Sequence, residues 1–390
     1  MEQKKELQKK RKLLIATDNF LPRWDGISRF LNEILPLLAT EYELTIVAPN
    51  FGKVKTDFTV KKIELSKYGL GDYKSAKLKP KIIKEMIKKT DLVFTQTIGP
   101  IGATAVFYAK KYKKPVTSFI HNIEWELIPM ATKNIILRRL LYPFMRIYCR
   151  FIYNKSDLLI LPSEGTSEII SWQKIHTKKK VVYLGVNSKS FMPEKDRNEK
   201  EQNEIEKLRE KLGLKGFYVV GNHGRLAEEK DLFTLIRAFS WLTKKYDDVR
   251  LVIVGDGTDQ IQKKLKATKN VILVPRTNEV EKYLNLFDVY VTTSLTETTS
   301  LATLEAMASG LPVISTPVGF IKEYIHNNYN GFLIEIKDNY TIYKTINLLK
   351  NNPELARKIG QRARKSILKQ FEWKQTAEGI LEALKSLPKK

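Results

Sequence analysis

A single cysteine, Cys149, in a chain of 390 residues excludes an intramolecular disulfide and any cysteine-built metal site. It makes a reducing cytoplasm the default expectation. Histidine is nearly as scarce. His121, His176, His223 and His326 stand far apart with no ligand spacing among them, so no metal is expected. Long apolar runs are missing too: no uninterrupted stretch approaches the roughly 18 residues that cross a bilayer. The run LLIA behind the charged opening MEQKKELQKKRK is too short for a signal peptide. The expectation is a soluble or peripheral protein. Acid is the last shortage, with 43 Asp and Glu against 68 Lys and Arg, a net charge of +25. Such a field favours polyanions, whether nucleic acid, anionic lipid headgroups or nucleotide phosphates, and does not choose among them.

What is present suffices for folding. With 43% hydrophobic and 28% charged residues the chain can bury real cores, and its length suits about two domains. Short aliphatic runs read as strands at 12–17, 43–49, 91–96, 115–121 and 157–163, separated by helical patterns at 27–40, 82–90, 101–112 and 134–154. A second series places strands at 217–224, 250–257, 270–275, 289–294 and 312–317, with helices at 231–245, 258–268, 279–286 and 301–309. Buried strands alternating with helical crossovers predict parallel sheets covered on both faces. The fold class is therefore α/β, with two doubly wound Rossmann-like domains. The charged stretch 187–216, helical only near its end, reads as a linker, which assigns 1–190 to the first domain and 191–371 to the second. The segment 372–390 reads as a further amphipathic helix that packs back on the first domain. Two such sheets facing each other leave a cleft lined by the carboxyl ends of the strands, where ligands sit in such folds.

The densest signal is TETTSLATLEAMASGLPVISTPVG (296–319), which carries Glu297 and Glu305 with seven residues between them. Glu297 falls in the loop after a strand, a helix begins near Ser300 with Thr299 or Ser300 as its cap, and Gly310 and Pro312 close it. A helix start at the carboxyl end of a parallel strand offers backbone N–H groups and partial positive charge to a phosphate. Glu297 can accept from sugar hydroxyls there, and Glu305 can reach another part of the same ligand. The pair also fits an exposed loop acid and an ordinary helix-surface glutamate. GRLAEEKDLFTLIRAF (224–239) repeats the strand-to-helix setting, with Arg225 and Lys230 as two cations suited to a diphosphate. Glu228, Glu229 and Asp231 lie among them, so a solvated charge cluster is the competing reading. In NFLPRWDGISRFLNEI (19–34), Gly26 lets the backbone approach a ligand, while Asp25 or Ser28 can cap the helix. His121 ends the strand PVTSFIH before NIEWE and can orient a hydroxyl, although a lone histidine is as often a satisfied core residue.

In this order, TETTSLATLEAMASGLPVIST, GRLAEEKDLFTLIRAF, SDLLILPSEGTSEII, VVYLGVNSKSF, the DG loop and SFIHNIEWE resemble the group 1 glycosyltransferases, also called glycosyltransferase family four, over about residues 12 to 380. The resemblance implies a GT-B fold and a retaining hexosyltransferase that needs no metal or other cofactor. It implies that Glu297 contacts the donor sugar, that Glu305 holds the ribose, and that Arg225 and Lys230 bind the diphosphate and stabilise it on leaving. Amides at Thr299, Ser300 and Leu301 would touch phosphate or sugar, Gly26 would sit by the diphosphate, and His121 would lie near the reacting carbon and acceptor. Members often carry EGFG or ETQG where this chain has ETTS, so Ser300 stands in place of a glycine. The usual double glycine of the first loop is DG, and PRT (275–277) replaces a glycine after a strand. No charge the chemistry needs is lost.

The expected donor is a nucleotide sugar, UDP-glucose or GDP-mannose. The basic stretches 67–89 and 131–155 mix lysine or arginine with apolar residues and can lie on an anionic membrane surface. The ETTSL start and the DGISRF loop resemble versions in lipid glucosyl- and mannosyltransferases of the family. A lipid acceptor is therefore expected, with a peripheral place on the inner face of the cell membrane. A soluble sugar or polysaccharide acceptor is the alternative; 134–155 also reads as a core helix, and lysine-rich surfaces also occur in thermophiles. A basic nucleic-acid-binding protein is the alternative of another class, and a nucleotide-sugar epimerase a third. The lysines are spread along the chain with no nucleic-acid motif beside them, so no specific nucleic acid is expected. An epimerase would not be expected to carry the glutamate pair.

Overall fold

The computed structural model describes residues 10–23, 25–70, 73–130, 132 and 134–388; most of the charged opening arm lies outside them. The chain divides into two compact units. One reaches to Tyr183 and is completed by the chain from Lys374 onward; the other is Leu184–Trp373.

The first unit contains β1 (Arg11–Ala16), α1 (Gly26–Leu38), β2 (Tyr42–Pro49), β3 (Thr59–Ile63), β4 (Leu65–Leu70), β5 (Tyr73–Ala76), α2 (Pro80–Lys88), β6 (Leu92–Thr95) and α3 (Pro100–Lys111). It continues through β7 (Val116–Phe119), α4 (Glu124–Met130), α5 (Ile135–Tyr153), β8 (Leu158–Leu161), α6 (Glu164–Trp172) and β9 (Lys179–Val181). Its main sheet is parallel in the order β3-β2-β1-β6-β7-β8-β9, with β4 and β5 as a separate antiparallel ribbon. LVFT, VTSF and LLIL in β6, β7 and β8 are buried at every position, as strands covered on both faces must be. Each fully buried Leu or Ile contributes roughly 2 kcal/mol by leaving water.

The second unit runs through α7 (Glu199–Lys211), β10 (Tyr218–His223), α8 (Leu232–Lys245), β11 (Val249–Val254), α9 (Asp259–Lys266), β12 (Val271–Val274), α10 (Val280–Leu284) and β13 (Val289–Thr292). Then come α11 (Leu301–Ala308), β14 (Val313–Ser315), α12 (Ile321–Tyr324), β15 (Phe332–Leu333), α13 (Asn339–Asn351) and α14 (Pro353–Gln370). The parallel order β12-β11-β10-β13-β14-β15 is that of a doubly wound sheet. In both units the chain runs outward from a first strand, then returns to its other side. The switch points, β1/β6 and β10/β13, open crevices at the carboxyl ends of the strands.

The last helix, α15 (Trp373–Lys385), crosses back to the first unit. Ile380 and Leu384 are buried there, Thr376 Oγ1 donates to the Tyr183 carbonyl at 2.8 Å, and Lys180 pairs with Glu382 at 2.9 Å. The helix comes so close that a Cβ on Gly379 would stand 2.9 Å from Val182. The stretch 187–216 lies within the second unit and carries α7. Asn198 and Glu201 cap α7 reciprocally, the side chain of each accepting from the other's backbone N–H. Its low apolar content reflects a helix that buries one residue, Ile205.

Candidate functional site

In the second unit the switch point gathers two loops that are far apart in sequence. After β10 the chain turns at Gly224, passes Arg225 and makes a 3₁₀ turn at Glu228–Lys230 before α8. After β13 it runs through Thr293–Thr299 to α11. The loops are stitched together: Leu295 N–H donates to the Glu229 carbonyl at 2.8 Å, and Thr293 Oγ1 bonds the Lys230 and Asp231 carbonyls at 3.0 and 2.9 Å. Lys230 Nζ thereby meets Glu297 Oε1 in an ion pair, and Ser294 Oγ donates to the same oxygen at 2.9 Å. Arg225 pairs with Glu229, its side chain 62% exposed. A carboxylate and a mostly buried lysine are thus held together just before the start of α11, where the first helical amides have no acceptor inside the helix.

Two left-handed residues shape this loop. Ser300, the residue before α11, has φ 53°. Its hydroxyl does not cap the helix as expected; it lies 2.8 Å from Thr303 Oγ1. Left-handed backbone is costly for an L-residue and free for glycine. Gly319, at φ 56°, lies so close to the loop that a Cβ would stand 2.0 Å from the Glu297 carbonyl. Phe320 N–H donates to Thr298 O at 2.7 Å and Tyr324 OH to Thr299 O at 3.0 Å, which clamps the loop from β14's side. Gly310 turns at φ 77° behind α11, as a helix-ending glycine does.

Glu305 is not a helix-surface residue. It is 2% exposed, on the inner side of α11, and its Oε2 lies 3.4 Å from His223 Nε2 at the end of β10. His223 also approaches the Ala302 carbonyl at 3.3 Å and packs on Tyr290, 5.5 Å between ring centres. It is a participant that sequence reasoning passed over, since a lone histidine has no partner in the chain. Its place as the last residue of β10, the central strand of the sheet, was the available signal.

At the first unit's switch point burial works against charge. His121 follows β7 and is buried. It stacks on Phe119 at 4.4 Å and meets Phe30 edge-on at 4.8 Å. Its Nε2–H donates to Gln96 Oε1 at 3.0 Å, which leaves Nδ1 without a proton. Burial lowers its pKa to about 3, so the ring stays neutral at physiological pH. Asp18, beyond β1, accepts from the amides of Ile101 and Gly102 at 2.9 and 3.1 Å and from Thr97 Oγ1 at 2.7 Å, holding the start of α3. Burial outweighs those bonds and raises its pKa. Glu124, opening α4, has a fully enclosed Oε2, and burial raises its pKa to about 7. Gly26 begins α1 behind Asp25, whose side chain accepts from Ser28 N–H at 2.9 Å; among the described residues nothing lies within 4 Å of where a Cβ on Gly26 would be. Gln96 Nε2 and Ser28 Oγ are buried polar atoms without a hydrogen-bond partner among the described residues.

The structure therefore gathers Arg225, Lys230, Glu297, Thr299, Ser300, Leu301 and Glu305 at one switch point of the second unit. Gly26 and His121 belong to the first unit.

Comparison with known proteins agrees with this division. The family model described as Glycosyltransferase Family 4 matches residues 24–190, and that described as Glycosyl transferases group 1 matches residues 204–366. The alpha-monoglucosyldiacylglycerol synthase of Streptococcus pneumoniae is 27% identical over 252 residues, 62% of this chain and 55% of that protein. The match thus spans about half of that relative's length. The protein of the same name from Acholeplasma laidlawii is 25% identical over 368 residues, 90% of each chain. Among solved structures, Anabaena HepE in complex with UDP matches with a TM-score of 0.77 over 96% of this chain and 100% of its own, at 19% identity. It has also been solved with UDP-glucose. At that identity the likeness speaks for the fold alone, which is GT-B. One model matches along each of the two parallel-sheet units, and the chain belongs to the group 1 glycosyltransferases.

Proposed function

We propose that this protein moves a hexose from a nucleotide sugar, UDP-glucose or GDP-mannose, to a lipid acceptor at a membrane surface, with retention and without a metal. The observation that carries the reading is the Lys230–Glu297 pair before the start of α11, a cation and a carboxylate 67 residues apart in the chain that two neighbouring loops bring together. The donor diphosphate lies over the amides of Thr299, Ser300 and Leu301, beside Lys230 and Arg225. Charge developing on the leaving phosphate meets those two cations and the helix dipole, which act without reorganising. Glu297 accepts from hydroxyls of the donor sugar. Glu305, set inside the helix beside His223, takes the ribose. On the acceptor side, neutral His121 orients a hydroxyl through Nδ1 and cannot act as a standing acid, and Gly26 is assigned to the diphosphate. The names of the two relatives, both of which speak of a glucosylated diacylglycerol, support a lipid acceptor and put glucose first among the donor sugars.

The test is hydrolysis of a nucleotide-sugar panel, read as UDP or GDP release, with and without vesicles containing diacylglycerol or phosphatidylinositol. Release from one donor, stimulated by vesicles and lost in Glu297→Ala and Lys230→Ala, is the expected result. Release indifferent to vesicles moves the acceptor to a soluble sugar or polysaccharide. No release and no nucleotide binding would overturn the enzymatic reading.

A further inference from the structure

α5, IILRRLLYPFMRIYCRFIY, contains four arginines and no acid. It was expected to read either as a core helix or as a surface one, and its burial decides. The buried residues are Met145, Cys149, Ile152 and Tyr153, all in its second half; from Ile135 to Phe144 none is buried. Successive helical residues turn by about 100°, so Ile136, Leu140, Phe144, Ile147 and Phe151 form one row on the side opposite the buried ones. All five are between 58 and 69% exposed. Arg139, Arg146 and Arg150 follow one border of that row by the same geometry. Single exposed apolar residues are ordinary, but a continuous row of large ones marks an interaction surface. Beside it, Trp172 ends α6 and is 78% exposed; the next residue, Gln173, accepts from Arg146 Nε at 2.7 Å, tying the tryptophan's end of α6 to the basic border.

We infer that this face docks the protein on an anionic lipid bilayer, with the apolar row and Trp172 at the headgroup boundary and the arginines against lipid phosphates. The inference deepens the lipid-acceptor reading and rests on it for its purpose, because a transferase seated on the bilayer meets its acceptor there. Charge complementarity selects the occupant. A second copy packed two-fold on this face would set one arginine-bordered helix against another, with no acid anywhere on α5 to balance them. Spanning is a different matter: among the described residues no helix is long and apolar enough to cross a membrane.

The experiment is flotation of the full chain, with no donor present, on vesicles of phosphatidylglycerol with phosphatidylcholine and on phosphatidylcholine alone. Binding to the anionic vesicles only, weakening with salt, is expected. The triple change Leu140→Ser, Phe144→Ser and Ile147→Ser should abolish it without changing the melting curve, since all three side chains are exposed. Arg139→Gln with Arg150→Gln, which keeps the apolar row, should weaken it on the order of tenfold at low salt. Failure of the wild type to float, or triple-variant binding equal to wild type, overturns the docking. So does a triple variant that shifts from dimer to monomer in sedimentation while still floating, because the face is then a self-contact. Donor hydrolysis in detergent, measured in parallel, separates the two readings: if it persists while flotation fails, only the docking is lost, and if it fails while flotation holds, only the transferase reading is.

Discussion

The two switch points handle charge in opposite ways. In the second unit charged side chains stand in pairs of opposite sign: Lys230 with Glu297, and Arg225 with Glu229. In the first unit burial works against charge, leaving His121 neutral and holding Asp18 and Glu124 above the usual carboxylate range. Paired charges suit a ligand that is itself highly charged. A buried surface around a neutral imidazole suits one recognised through hydroxyls. If this contrast is functional, removing charge should cost activity in the second unit and mainly shift pH dependence in the first.

The largest effect is expected at the Lys230–Glu297 pair. Lys230→Ala and Glu297→Ala should each lower kcat on the order of 10³-fold, the cost of losing one preorganised contact to a developing charge. The double variant should fall well short of the product, because both side chains act on one ligand and on each other. Fully additive losses would mean that the two side chains act independently of each other, and losses of only a few-fold that the pair is a surface ion pair and the contrast between the units is not functional. Next comes Gly319→Ala. A left-handed backbone and a Cβ at 2.0 Å from the Glu297 carbonyl should destabilise the second unit by about 3 kcal/mol, read as a lower melting step for that unit.

The sheets were legible because runs such as LLIA, LLIL and VIV are buried strands by composition alone. Edge strands were not: β9 is KKV and β15 only two residues, too short or too charged to show a period. α14 had a signal, Ile359, Ala363 and Ile367 at every fourth position, within a helix otherwise dominated by charge. At the site, the motif around α11 displayed Glu297 and Glu305 directly, whereas the pairing with Lys230 follows only once β10 and β13 are known to be neighbours. That Glu305 faces inward to His223 depends on the helix's rotation, and α11 is apolar nearly all round. The same ambiguity hid the orientation of α5, whose two faces are both apolar.

Burial in the first unit can be tested by pH. Glu124 titrates at about 7 when folded, against about 4.3 when unfolded, so the folded chain binds the extra proton between those values. The stability contributed by the neutral form is complete below about pH 4 and is lost as pH rises through 7. Glu124→Gln removes the ionisation. The variant should match wild type near pH 5 and exceed it at pH 8.5 by on the order of 2 kcal/mol, roughly 5 °C in melting temperature. Equal melting curves at both pH values would mean that Tyr153 and Cys149, which flank it, do not shut the carboxyl from water.

The smallest effect is the most specific, and it concerns the second unit's backbone rather than its charges. Inside a helix alanine is more stable than glycine by up to about 1 kcal/mol, whereas at an N-cap glycine is the better of the two. Ser300, the residue before α11 and held at φ 53°, should favour glycine on both position and backbone. Alanine there keeps the left-handed strain of about 1–2 kcal/mol and loses the hydroxyl contact with Thr303. Glycine loses the same contact but sheds the strain, offset in part by the larger freedom of its unfolded chain. Ser300→Gly should therefore be more stable than Ser300→Ala by about 1 kcal/mol. Donor KM should stay within about twofold in the glycine variant, because the amides of Ser300 and Leu301 keep their direction. A more stable alanine variant would mean that the loop is not held left-handed, and the diphosphate site built on those amides would lose its geometric basis.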